Sequence, residues 1–145
     1  MRSVSFFRWP RSVVTAIAGL LAFSIVWADD ITDSNELLCY DWSAARCDAE
    51  DGCEVVEPYE INVPDFLKVD LDEGTAVTTG PESERRTTEI ESVARPAGQI
   101  VLQGKQGARA FSWLITEATG EGTLTVSTAS AGITIFTICT PMEEL

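Results

Sequence analysis

Residues 99–116 read QIVLQGKQGARAFSWLIT. Ile100 and Leu102 fall on one face of a run bounded by Gln99 and Gln103, glycines at 104 and 107 break the run, and residues 110–116 resume it with aromatic and β-branched side chains. Alternation of period two marks a half-buried strand, and a short glycine-bounded break between two such runs marks a hairpin. The stretch therefore predicts strands over 99–103 and 110–116, and the same texture repeats on either side of it.

Working outward, short runs of Val, Ile, Thr, Leu and Phe predict strands over 66–71, 75–79, 87–93, 123–127 and 133–139, with a shorter one near 54–57. The breaks carry turn chemistry. Asp72-Glu73-Gly74 suits a three-residue hairpin with glycine at the left-handed position, Pro96-Ala97-Gly98 opens on proline's fixed φ, and Thr119-Gly120-Glu121-Gly122 makes another turn. Connections this short pair neighbouring strands in sequence order. The expected fold is all-β: an antiparallel meander of about seven to eight strands, closed as an up-and-down barrel or left as a strongly curved sheet. Leu67, Val69, Leu71, Ile100, Leu102, Leu124 and Val126 share the predicted core face. Two strands are apolar on both faces. Phe111, Trp113 and Ile115 oppose Leu114, while Ile133 and Ile135 oppose Phe136 and Ile138, so a second layer over the last strand is expected, the nearest candidate being residues 39–53.

The N-terminus predicts export. Arg2, Arg8 and Arg11 precede an apolar run over 13–26, and Val26-Trp27-Ala28 suits signal-peptidase cleavage after Ala28. The run is shorter than the roughly 20 residues that span a bilayer, so no membrane span is expected after cleavage. Three parts follow: 1–28 a signal peptide, 29–53 a disulfide-held lead-in, and 54–145 the antiparallel β domain. Within the lead-in, residues 29–36 read as frayed, and 39–53 as loop with room for one helical turn around 42–46. The whole chain carries a formal charge of −13; removal of the three arginines with the leader leaves seven cations against 23 carboxylates, or −16. Such a surface repels nucleic acid and attracts basic partners.

Cys39, Cys47, Cys53 and Cys139 all follow the leader. An even count in an exported chain predicts two disulfides and a periplasmic or secreted location. The favoured pairing is Cys47 with Cys53 across the turn-forming Asp48 to Gly52, and Cys39 with Cys139. Cys39 with Cys53 and Cys47 with Cys139 fits the spacing almost as well.

No histidine is present, which removes Ser-His-Asp and Cys-His catalysis and histidine-ligated metals. Asp70-Leu71-Asp72-Glu73-Gly74 is too short for a calcium loop and is flanked by strand signals, not helices. No catalytic residue, metal site or cofactor is predicted, and no enzymatic activity. Arg109 stands out as a rare cation beside an aromatic strand; with Phe111, Trp113 and Phe136 it forms the candidate binding surface, for a basic protein or a small apolar ligand. The oligomeric state is not set by the sequence.

Three segments carry a resemblance: NVPDFLKVDL (62–71), LQGKQGARAFSW (102–113) and IFTICTP (135–141). In that order they resemble a group of small exported proteobacterial proteins of unknown function with a proline-aromatic-x-VDL start, an LQG-x-x-x-GR-aromatic-S hairpin and a closing FG-x-CT. The resemblance implies a periplasmic or secreted β domain and no particular activity. The expected architecture, disulfides and acidic surface also resemble the periplasmic inhibitors of c-type lysozyme, which implies capture of a basic enzyme by steered association. Their Ser-x-x-Gly-x-Lys-Tyr loop has only Ser130-Ala131-Gly132-Ile133-Thr134 as its nearest counterpart.

Overall fold

The alternating runs fold as strands. The computed structural model describes residues 30–142, so the expected leader 1–28 lies outside the described residues. The strands are β1 (Glu36–Asp48), β2 (Gly52–Val56), β3 (Phe66–Asp70), β4 (Thr75–Thr78), β5 (Thr87–Glu89), β6 (Ser92–Ala94), β7 (Gln99–Gln106), β8 (Arg109–Thr116), β9 (Glu121–Ser127) and β10 (Ala131–Pro141). Short 3-10 turns cover Pro58–Ile61 and Glu82–Glu84. One antiparallel sheet runs β5-β4-β3-β1-β10-β9-β8-β7-β6, with β2 paired to β1 off this path. The fold is the predicted all-β, antiparallel, curled sheet, with more strands than the expected seven or eight.

The curl has a covalent cause. β5 and β6 stand at opposite edges of the sheet, yet only Ile90 and Glu91 separate them in the chain. The Ile90 N–H donates to the Gly74 carbonyl (2.8 Å) beside β4, and the next N–H, of Glu91, donates to the Gln103 carbonyl (2.8 Å) of β7. The chain thus passes from one edge to the other within two residues, and β5 comes into contact with β7. The single strand expected over 87–93 is therefore two, hinged where Ile90 turns inward and is buried.

The largest departure lies at the start. Residues 39–53, expected as loop, are most of β1, the turn after it and the start of β2, and the boundary expected between 53 and 54 falls inside β2. β1 pairs with β10 along nearly its whole length on one side; on the other, Glu36 to Tyr40 pair with β3 and Ala44 to Asp48 with β2. Its Asp, Glu and Ala residues have weak strand propensity, and hydrogen bonding from both sides supplies what propensity does not. Strict sequence-order pairing is broken there, since β1 sits between β3 and β10. The lead-in is not frayed: Ile31 is fully buried, and its N–H donates to the Glu117 carbonyl (2.9 Å). Nor does residue 39–53 cover the last strand, because β1 lies beside β10 rather than over it.

Cys39 pairs with Cys139, directly opposite it in the β1–β10 register, and Cys47 with Cys53 across β1–β2. The favoured pairing is the observed one. The inward faces bring Leu37, Val69, Leu71, Ile90, Ile100, Leu102, Trp113, Ile115, Leu124 and Ile135 into one core with Ile31 and the Cys39–Cys139 bridge.

Candidate functional site

The two ends of the curled sheet are built differently. At the end carrying residues 30–35, 71–74, 95–98 and 117–120, the core is sealed. Arg95 donates from Nη1 to the Thr32 carbonyl (2.6 Å) and to Glu117 Oε1 (3.2 Å), and from Nη2 to the Ser34 carbonyl and Asn35 Oδ1 (3.2 Å). Glu117 is itself buried, so this guanidinium both pairs a buried carboxylate and holds the lead-in across this end of the curled sheet.

At the other end the inward side chains stop short of filling the interior. A cavity of about 150 Å³ opens there, walled by Phe111, Trp113, Leu124, Val126, Ile133 and Ile135, with Leu67 and the 61–64 loop completing it. The alternation of β8 places Arg109, Phe111 and Trp113 successively deeper on one face, from exposed through half-buried to buried. Gly104 is what lets the Phe111 ring settle: a Cβ there would lie 2.7 Å from the ring and 2.8 Å from the Glu89 carbonyl oxygen. Arg86 and Arg109, both exposed, line the rim together with Gln106, Thr78 and Thr88. Arg86 donates from Nη2 to the Asn62 carbonyl (2.9 Å), which ties it to the 61–64 loop. Arg109 has no ion pair among the described residues.

Beneath the cavity lies a polar layer. The Trp113 indole Nε1 donates to Thr137 Oγ1 (3.1 Å), both side chains buried, and Gly122 leaves the space for that contact. Thr137 pairs in register with Asp41, at a β-bulge between Asp41 and Ser43. Asp41 is 2% exposed, and among the described residues neither carboxylate oxygen has a hydrogen-bond partner. Burial, with a smaller contribution from the Asp65 charge, pushes its pKa up to about 7. A buried carboxyl without partners holds its proton because the ion is the costlier species there.

The four residues predicted as one surface divide between two faces. Arg109, Phe111 and Trp113 belong to the cavity, with Trp113 only 2% exposed as part of its wall. Phe136 points outward and packs against Trp42 in a tilted pair, ring centroids 5.8 Å apart; Tyr40 and Phe66 form a similar tilted pair at 5.2 Å on the same outer face. Phe136, Ile138 and Leu114 are each roughly two-fifths exposed, so the outer side of the last strand is open. Arg86, the 61–64 loop and Asp41 were not predicted. The first two come from irregular segments without periodicity, but Asp41 follows Leu37 and Cys39 at alternate positions, a signal visible once 37–41 is taken as strand.

The acidic turns are occupied by their own backbone. Asp70 Oδ1 accepts the N–H groups of Asp72 (2.9 Å) and Glu73 (2.7 Å), and Asp48 Oδ1 those of Asp51 (2.7 Å) and Glu50 (3.0 Å). The Asp51 and Glu50 bonds hold the Asp48 pKa below the usual carboxylate value. Among the described residues no three acidic or thiol groups converge in a way that suits a metal ion. No protein-family model matches the chain, and no curated protein or solved structure matches it significantly.

Proposed function

We propose that the protein is an exported, non-enzymatic binding module that takes a small apolar group into the cavity at the open end of its curled sheet. The observation that carries this reading is the asymmetry of the core: one end is sealed by Arg95 and Ile31, while the other leaves an apolar cavity of about 150 Å³ with an accessible rim. An apolar cavity of that size accepts a single aromatic ring. Export, as a periplasmic or secreted protein, is supported by the leader-like N-terminus and by two disulfides, which persist in oxidising compartments. The test is a titration with toluene followed by heteronuclear NMR. Saturable shifts of the Trp113 indole N–H and of the Phe111 and Ile133 amides are expected, and Val126→Phe, which fills the cavity, should suppress them. Shifts confined to the outer Trp42 and Phe136, or none up to the solubility of toluene, refute the reading.

A second reading rests on the outer face. Tyr40, Trp42, Phe66 and Phe136 expose aromatic surface on a strongly acidic chain, a combination suited to a basic protein such as c-type lysozyme. It is checked by a lytic assay: inhibition near stoichiometry that weakens as salt rises supports it, and full lytic activity with the protein in excess removes it.

A further inference from the structure

The rim of the cavity has the opposite sign to the rest of the molecule. Outside the leader there are seven cations against 23 carboxylates, yet the residues around the cavity include two of those seven, Arg86 and Arg109, and no Asp or Glu. The remaining polar lining is neutral: Asn62, Thr78, Thr88 and Gln106. Arg109 enters no ion pair among the described residues, and Arg86 commits one nitrogen to the Asn62 carbonyl. A guanidinium carries five N–H donors in a planar fork, so both retain donors that an anion at the rim can accept from. An apolar wall ending at two such cations is the arrangement that an amphipathic anion satisfies, with its apolar part among Phe111, Trp113, Leu124 and Ile135 and its charge at the mouth.

Resting on the binding reading above, we propose that the natural occupant is a small organic monoanion: a carboxylate borne on a single ring or on a branched chain of similar bulk. The cavity volume limits the apolar part to about one ring. A carboxylate is favoured because it takes two parallel N–H groups from one guanidinium. A neutral ligand leaves both arginines to water, and a cationic one meets their charge at the point of closest approach.

The test compares three ligands of nearly the same shape, phenylacetate, phenylacetamide and phenethylamine, each titrated into the protein at neutral pH with the Trp113 indole N–H as reporter. Phenylacetate is expected to bind roughly five- to tenfold more tightly than phenylacetamide, with phenethylamine weakest. In Arg109→Gln and in Arg86→Gln the ratio of phenylacetate to phenylacetamide affinity should fall, and in the double variant it should approach one. The ratio is internal to each variant, so a change in overall stability does not mimic the effect. Equal affinity for the anion and the amide, or a preference that survives in the double variant, overturns the anion assignment while leaving the cavity as a binding site. If none of the three ligands moves the Trp113 signal, the binding reading and the anion assignment both fall.

Discussion

Arg95 and Arg109 stand at opposite ends of the β6 to β8 region and have opposite circumstances. Arg95 spends its donors on two backbone carbonyls, an amide oxygen and the buried Glu117, whereas Arg109 is exposed at the rim of a cavity. The same side chain is structural where the chain folds back over it and free where the sheet stays open. The difference teaches that the structural contacts are concentrated at one end of this curled sheet, and on the proposed reading recognition belongs to the other. Substitutions at the sealed end should cost stability, and substitutions at the rim should cost almost none.

The largest effect is expected from the bridge nearest the sealed end. Cys39–Cys139 closes a loop with a sequence separation of 100, next to the Leu37–Pro141 pair. On the chain-entropy account such a loop is worth about 4 to 5 kcal/mol, while the Cys47–Cys53 loop at the open end, with a separation of six, is worth about 2. Cys139→Ser should therefore lower the unfolding free energy about twice as much as Cys53→Ser in urea titrations. Equal losses would break the comparison between the ends at its strongest point.

Between the two ends lies Asp41, and its signature is in pH. In the unfolded chain this carboxyl titrates near the ordinary aspartate value of 3.8, and burial pushes it up to about 7 in the folded protein. The native state thus holds a proton that the unfolded state has released, so the contribution of Asp41 is fully present below about pH 4 and is lost as pH rises through about 7. A shift of this size corresponds to on the order of 4 kcal/mol at its ceiling. Asp41→Asn should be more stable than the parent by about 2 to 4 kcal/mol at pH 8, with the gain shrinking towards pH 4. A gain independent of pH would show that the carboxyl is not protonated in the fold.

Next in size is the sealed end itself. Arg95→Met removes the partner of a buried carboxylate and leaves the Thr32 and Ser34 carbonyls without their donor. Because the Arg95 side chain is 29% exposed and water can partly replace it, the expected loss is about 2 to 3 kcal/mol, below the range for fully buried pairs. Hydrogen exchange should show the Ile31 amide losing protection before the amides of β8 do. Uniform loss across the sheet would mean that the lead-in is not held locally by this arginine.

How legible these features were in the sequence followed from how local their causes are. β3, β7 and β9 carry apolar residues at every second position, and most of the turns beside the strands carry glycine or proline, so their positions and the core residues Val69, Ile100, Leu102 and Leu124 could be read directly. β1 could not: Cys39 to Asp48 sets Tyr40 and Trp42 among small and polar residues with no sustained alternation, and it is a strand because β10, β3 and β2 hydrogen-bond to it. The cavity was half visible. Arg109, Phe111 and Trp113 were singled out from one strand, but Phe136 was grouped with them because apolar character on both faces does not say which face is inward. Arg86 and the 61–64 loop reach the rim only through the three-dimensional path of irregular chain, for which no periodic signal exists.

The smallest stability effect is the one that sharpens the comparison most. Arg109 is exposed and has no ion pair among the described residues, so Arg109→Gln removes no buried interaction; it keeps a polar, unbranched side chain at the first position of β8. A surface substitution of this kind changes the unfolding free energy by less than about 0.5 kcal/mol. Removing one positive charge from a chain with an excess of carboxylates works slightly against stability through self-repulsion, so the change should be a small loss that disappears as salt is raised. Urea titrations of the parent, Arg109→Gln and Arg95→Met at low and high salt measure all of this in one series. A loss at Arg109 approaching that at Arg95, and persisting in high salt, would mean that Arg109 holds the fold together, and the division between a sealed structural end and an open recognising end would be lost.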